Sequence, residues 1–253
     1  MCGIAGYIGK EELSDNQITN LSQLMKNRGP DSFNFVKLKS KDRFIYLFHS
    51  RLSIIDLNIR SNQPYFYNNI TLIFNGEIYN YKELKKNLIL KGHKFKTLSD
   101  TEVLIKSYVE YGEKCIDKFE GMWSFAIWDA NKNKLFISRD RFGEKPLFYS
   151  ENNNFIFGSQ TSFIKVLNKN NQIDYFQIKN FISNGYKNVL NGQRTFFSKI
   201  KKLDPANNII ISSNLIKKIK CYWKPSFNPD YKLNENEINE EVKYLLKKSL
   251  KIR

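Results

Sequence analysis

The sequence predicts an α+β layered fold dominated by antiparallel sheet. Apolar runs pair around short polar turns, as in "MWSFAIWDANKNKLFISRD" and "PLFYSENNNFIFGS", which is the pattern of hairpins. Helical stretches fall between these pairs instead of alternating regularly with single strands, which argues against a doubly wound parallel sheet. The 253 residues are 41% hydrophobic and 15% aromatic, enough for a well-packed core in one large domain, or in one domain and part of another.

Each element follows from its own pattern. "CGIAGYI" reads as a first strand whose glycines admit close approach of other backbone. Ile18, Leu21 and Met25 recur at helical spacing, and Gly29 and Pro30 stop that helix. "DRFIYLFHS" and "NITLIFNG" are strand-like. In "NYKELKKNLILKG", Asn80 is the expected cap, Tyr81, Leu84 and Leu88 share a face, and Gly92 ends the helix. "SDTEVLIKSYVEYG" is a further helix capped by Ser99 or Asp100. After the two hairpins, short helical patterns run from about 161 to 184, and "NNIIISS" with "LIKKIKCYW" forms a third strand pair. The Pro- and Asn-rich stretch at 224–234 reads as a linker. Beyond it, Ile238, Val242, Leu245 and Leu246 line one side of a final amphipathic helix at 235–253, which has no evident partner in what precedes it.

Composition narrows the function. A net charge of +16 invites a nucleic-acid or anionic-membrane reading, but the lysines are spread along the chain and not gathered in one stripe. Their denser spots, 199–202, 217–220 and 247–253, read as solvated faces. Three widely spaced cysteines, Cys2, Cys115 and Cys221, argue against a disulfide framework, and no Cys/His cluster has metal-ligand spacing. With no apolar run long enough to span a bilayer and no signal-peptide pattern at the start, the expectation is a cytoplasmic protein that binds neither membrane nor nucleic acid.

Cys2 has two readings. A cysteine at the start of a strand is ordinarily packing. Directly behind Met1, however, it is small enough for methionine removal, which would leave a thiol and a free α-amine on one residue. An α-amine titrates at about 7.7–8.0 and can serve as the base for its own thiol. No separate histidine is then needed in a chain that has only His49 and His93.

Six further segments follow "CGIAGYIG" in order: "RGPDS" (28–32), "HSRLSIID" (49–56), "NGEIYN" (75–80), "SDTE" (99–102), "FEGMWSFAIWD" (119–129) and "RDRFGEKPLFY" (139–149). The series resembles the glutaminase domain of glutamine-dependent asparagine synthetase, a class II glutamine amidotransferase of the N-terminal-nucleophile hydrolase superfamily. The resemblance implies a four-layer αββα sandwich with two stacked antiparallel sheets. It also implies that Cys2 is the nucleophile on the glutamine side-chain amide, and that Asn75 and Gly76 form an oxyanion hole. Arg51, with the backbone of Leu52, Ser53, Ile54 and Ile55, would hold the glutamine α-carboxylate. Glu77 and Asp100 would receive its α-ammonium.

Asn27, Gln160 and Ala206 depart from the family pattern, where a histidine, a glutamate and a glycine are common, but none is assigned to glutamine hydrolysis. The domain division expected is a glutaminase domain over 1–223, a linker over 224–234, and the start of a truncated synthetase-domain helix over 235–253. The Ser-Gly-Gly-x-Asp-Ser loop that binds pyrophosphate in that second domain is absent from the sequence. The glutaminase half therefore needs no cofactor, and ATP and magnesium are expected only with a synthetase domain supplied in cis or in trans. Glutamine is the expected substrate, and a homodimer is one assembly this reading allows. The alternatives are a glutaminase half serving another carboxylate acceptor, and a non-catalytic glutamine-binding or regulatory fragment.

Overall fold

The computed structural model describes residues 2–168, 171–184, 192–212, 214–215, 217–229 and 234–252. Twelve strands form two six-stranded sheets. The first holds β1 (Gly3–Gly9), β2 (Ser32–Ser40), β3 (Arg43–Arg51), β8 (Phe148–Glu151), β9 (Phe155–Gly158) and β10 (Lys201–Lys202), in the spatial order β10-β8-β9-β1-β3-β2. The second holds β4 (Tyr65–Tyr67), β5 (Ile70–Ile78), β6 (Gly121–Asp129), β7 (Lys134–Arg139), β11 (Asn207–Ser212) and β12 (Lys217–Cys221), in the order β12-β11-β7-β6-β5-β4. All these pairings are antiparallel.

Residue alternation along the strands creates the layers, because successive side chains leave opposite faces of a sheet. Ile4 and Ile8 of β1 point into a seam between the sheets, where they share a core with Ile73, Ala126 and Ile137 of the second sheet. Ala5 and Tyr7 point the other way, onto α1 (Asp15–Lys26) and α4 (Thr161–Leu167) through Leu21, Met25 and Phe163. On the far side, Phe74, Trp123 and Phe125 pack against α2 (Tyr81–Leu90) and α3 (Asp100–Tyr111) through Leu84, Leu88 and Val103. The result is the αββα sandwich that the resemblance implies. Packing continues to Tyr222, whose ring stacks on Trp123 and whose hydroxyl donates to the Arg139 carbonyl at 2.8 Å. A helix over Tyr175–Asn184, α5, the final helix α6 (Glu235–Ile252) and two 3-10 turns at Ile59–Ser61 and Gly112–Lys118 complete the described elements; no residue of α6 is buried.

Three edge strands carry lysine. Lys201 and Lys202 form β10, Lys37 and Lys39 lie on β2, and Lys217, Lys218 and Lys220 lie on β12. A charged edge discourages another chain from adding a strand. Two of the dense lysine spots in the sequence therefore have a structural use in the sheets themselves.

Two local expectations need correction. Asn80 occupies the cap position of α2 but makes no capping bond; its amide bridges the Lys118 carbonyl at 2.9 Å and the Glu120 N–H at 3.0 Å. Ser99, and not Asp100, caps α3, accepting from the Thr101 N–H at 3.1 Å. Three strands went unread. β4 has three residues and β10 only two, and β2 is an edge strand buried only in part on both faces, so its alternation is weak.

The segment "RGPDS" now has a role. Gly29 lies on the end of β3, so close that an added Cβ would sit 2.3 Å from the Ser50 carbonyl carbon and 2.5 Å from the Arg51 nitrogen. Both are backbone atoms and cannot turn away. Gly29→Ala is therefore expected to lower stability by about 1–3 kcal/mol or more. Thermal or urea unfolding checks this, and an unchanged midpoint would show that the 28–32 turn does not hold β3.

Candidate active site

The site grows from one gap in the second sheet. Continuing the β4–β5 register beyond Tyr65, which pairs with Leu72, would set Gln63 opposite Phe74, but β4 begins only at Tyr65. β5 therefore runs on without a neighbour on that side. The Phe74 N–H donates instead to Gln63 Oε1 at 2.6 Å, and the Phe74 carbonyl meets His49 Nε2 at 3.1 Å. Four residues on, the Ile78 N–H donates to Asp100 Oδ2 at 3.1 Å. Gly76 lies between them with the same strand parity, so its N–H leaves the same side of β5, toward the pocket it lines. Asn75 alternates with it, its side chain turned toward the inter-sheet seam and its Nδ2 3.5 Å from Ser124 Oγ.

Cys2 reaches this place from the other sheet. It precedes β1, and Gly3 pairs with Ser50, so Cys2 lies beside Arg51 at the end of β3. Its sulfur accepts from the Leu52 N–H at 3.4 Å and lies 3.6 Å from the Leu52 carbonyl. Burial pushes the thiol above its ordinary value, against the opposing influences of the Leu52 N–H and Arg51. "RGPDS" secures both strand ends. Arg28 Nε donates to the Cys2 carbonyl at 2.9 Å, the Asp31 N–H donates to the Arg51 carbonyl at 3.1 Å, and Asp31 Oδ2 accepts from the Ser53 N–H at 2.7 Å.

One pocket collects Cys2, Arg51, Leu52, Ile54 and Ile55 from the first side, and Asn75, Gly76, Glu77 and Asp100 from the second. Ser53 alone among the candidate residues does not line it; its N–H is held by Asp31. Gly76 has to be glycine for packing as well, since an added Cβ would lie 2.2 Å from the Met122 carbonyl oxygen.

Arg51 is buried and its guanidinium is already engaged. Nη1 donates to the Asn58 carbonyl at 3.0 Å and to Asn62 Oδ1 at 2.6 Å, and Nη2 donates to the carbonyls of Ile55 at 3.3 Å and Asp56 at 2.5 Å. In this state the fork shapes the loop over 52–62. Asp56, the end of "HSRLSIID", ties that loop to the base of α3 by accepting from the Leu98 N–H at 2.9 Å.

Asp100 is buried at the first turn of α3. Burial first and the neighbouring Glu77 second raise its carboxyl to about 6, against the lowering influence of the Ile78, Thr101 and Ser99 hydrogen bonds. The pocket also contains residues that the sequence reading did not select for the site, among them Gln63, Met122 and Lys145. Gln63 lies in "SNQPYFY", outside every motif. Lys145 belongs to "RDRFGEKPLFY", whose buried Asp140 accepts from the backbone N–H groups of Trp123, Phe142, Glu144 and Lys145 at 2.9–3.3 Å and so fixes that loop. Among the described residues there is no group of three or more His, Cys, Asp or Glu able to hold a metal ion, and no helix long and apolar enough to cross a membrane.

The raised Asp100 carboxyl has a consequence for stability. Its folded pKa of about 6 exceeds the ordinary carboxylate value of 3.8, so protonation favours the folded state. That stabilisation is complete below the unfolded value and is lost as pH rises through the folded one. Asp100→Asn keeps an acceptor for Ile78 without the buried charge. It is expected to be more stable than the parent at pH 7 by about 1–3 kcal/mol, with the difference fading toward pH 4. Paired unfolding curves over that range check it, and a difference independent of pH would contradict it.

Comparison with known proteins agrees with this geometry. A family model described as a glutamine amidotransferase domain matches residues 1–223. A Methanocaldococcus jannaschii protein provisionally named asparagine synthetase (glutamine-hydrolyzing) 2 is 34% identical, covering 100% of this chain and 52% of its own length. Asparagine synthetase (glutamine-hydrolyzing) 1 of Bacillus subtilis is 34% identical, covering 96% of this chain and 38% of its own length. The chain thus spans about half the length, or less, of these two relatives. The solved glutamine phosphoribosylpyrophosphate amidotransferase from B. subtilis, complexed with ADP and GMP, superposes with a TM-score of 0.64 at 18% identity, covering 90% of this chain and 50% of that one, and shares the fold. With a family model covering its first 223 residues and a pocket built as described, the chain belongs to the glutamine amidotransferase domain family.

Proposed function

We propose that this domain hydrolyses glutamine to glutamate and ammonia through a thioester on Cys2, and that the ammonia serves ATP-dependent conversion of aspartate to asparagine in the complete system. The observation that carries the reading is the pocket itself. A thiol from one sheet faces an amide side chain and an outward-facing backbone N–H from the other, with two carboxylates beside them.

In this reading Cys2 Sγ attacks the side-chain amide carbon of glutamine. The developing oxyanion takes hydrogen bonds from Asn75 Nδ2 and the Gly76 N–H, neutral donors held in place by β5. The thiol proton passes to the Cys2 α-amine and then to the leaving nitrogen. The carbon–nitrogen bond breaks, ammonia departs and a glutamyl thioester remains. Water then cleaves the thioester, releasing glutamate and restoring the thiol. Glu77 and Asp100 hold the α-ammonium of glutamine, and Arg51 with its loop faces the α-carboxylate.

The positions of the two histidines support the amine as base. His49 is fully buried, and burial lowers its pKa to about 3 while its Nε2 is committed to Phe74. His93 Nε2 lies 3.0 Å from Glu110, and His93 does not line the pocket. Neither ring is placed to take a proton from Cys2. The α-amine can act only when Cys2 is the first residue of the mature chain. The acceptor chemistry belongs to a synthetase domain, in cis or in trans, and ATP and magnesium belong there too, since this sequence has no Gly-rich phosphate loop.

The decisive test is an intact mass before and after incubation with a diazo-ketone glutamine analogue. The expected result is loss of Met1 and one covalent adduct, absent in Cys2→Ala; a retained Met1 or no adduct would refute the mechanism. Asn75→Ala is expected to lower kcat by about 10²–10³-fold, and a loss of only a few-fold would remove it as an oxyanion donor. Because Asp100 titrates at about 6 and must be ionised to hold an ammonium, kcat/KM for glutamine should fall as pH drops below that value. A profile flat to pH 5 would separate Asp100 from substrate binding.

A further inference from the structure

Resting on the glutaminase reading above, we propose that His49 is a positioning residue that sets the oxyanion hole against the nucleophile. His49 is on β3, opposite Ile4 of β1, two residues before Arg51 and on the sheet that delivers Cys2. Its side chain crosses the seam and meets the second sheet at the Phe74 carbonyl, 3.1 Å from Nε2. Phe74 immediately precedes Asn75. One hydrogen bond therefore joins the sheet of the thiol to the peptide unit that carries the oxyanion-hole side chain.

The chemistry of the bond is determined by its partner. A carbonyl only accepts, so Nε2 must carry the proton. The ring is fully buried and remains neutral, with its pKa near 3. Nδ1 has no hydrogen-bond partner among the described residues, so the tether to Phe74 is the polar contact that fixes the ring. On the same peptide edge the Phe74 N–H is held by Gln63. Together these two bonds fix the rotation of the strand where β4 has stopped. Packing alone would keep the two sheets stacked. It would not fix the tilt of the peptide that precedes Asn75, because the apolar contacts of the seam are non-directional, whereas a hydrogen bond weakens steeply away from its axis.

The test compares His49→Gln, which can still donate across the seam, with His49→Met, which has similar bulk and no donor. Folding is checked by thermal melting. The rate of Cys2 alkylation by iodoacetamide reports an accessible, intact thiol, and kcat and KM are measured for glutamine hydrolysis. The expected result for His49→Met is a kcat lower by about tenfold, a part of the ~10²–10³ that loss of an oxyanion donor costs. KM and alkylation rate should stay within about twofold, and His49→Gln should recover most of the loss. If the Met variant does not fold, His49→Gln against the shorter His49→Asn makes the same comparison of reach. An unchanged kcat in a folded variant without the donor would overturn the proposal. So would an alkylation rate that falls in step with kcat, since that marks general collapse of the pocket. A parent chain that captures the diazo-ketone analogue yet shows no effect of His49 defeats this inference alone. A parent chain that neither captures it nor turns over glutamine defeats the glutaminase reading, and this inference with it.

Discussion

Everything at this site depends on a strand that outruns its neighbour. β5 extends to Ile78 while β4 pairs with it only as far as Leu72. Buried backbone groups left without a partner are costly, so the exposed stretch has to be completed by other means. Gln63 and His49 complete Phe74, and Asp100 completes Ile78. Gly76 is the position between them. Its carbonyl and N–H face the pocket, on a strand that its neighbours make rigid. A donor prepared in this way does not have to reorganise when charge develops on a bound carbonyl, which is the condition for useful electrostatic stabilisation.

The same economy of parts explains why the motifs are spread along the chain. "NGEIYN" is the overhanging strand, and "SDTE" supplies both the cap of α3 and the carboxylate that holds Ile78. The last residue of "SDTE", Glu102, accepts from the backbone of Lys96 and Thr97, so it shapes the approach to Ser99 and does not enter the pocket. "RGPDS" clamps the ends of β1 and β3. "RDRFGEKPLFY" folds on Asp140 and Arg139, the latter donating to the carbonyls of Lys145 and Gly143 at 2.8 and 2.7 Å. What looks like a series of separate signatures is one set of supports around a seam.

Much of the fold was legible in the sequence, because hairpins with polar turns and helices with a clean apolar stripe carry their own periodicity. Leu21 and Met25 of α1, and Leu84 and Leu88 of α2, are buried as their spacing requires. Short or half-exposed elements were not legible, since β4 has too few residues for a period and β2 has no fully buried face. Of the candidate site residues, all but Ser53 converge on one pocket. Gln63 and His49 were missed as parts of it because their role comes from where β4 ends, and that depends on strand pairing between distant segments. Ala206 shows the opposite case. It stands where a glycine is common in the family, and the backbone there has φ 55°, in the left-handed region that an alanine tolerates poorly.

The electrostatics of the pocket run against the stability of the fold. Asp100 is buried next to Glu77, and the fold holds it with three hydrogen bonds without lowering its carboxyl to the ordinary range. A cation brought between the two carboxylates would relieve that repulsion and the cost of burial together. A neutral or anionic group in the same place would gain nothing. The loop over 52–62 complements this. Arg51 is buried among backbone carbonyls that already accept its hydrogens, so its positive charge stays in the wall of the pocket while its donors keep the loop in shape. A ligand with an ammonium at one point and a carboxylate at another thus meets a site polarised in the matching sense before it arrives. In the proposed function that polarity would favour glutamine, whose ammonium offsets the cost of burying Asp100 while the charge of Arg51 faces its carboxylate.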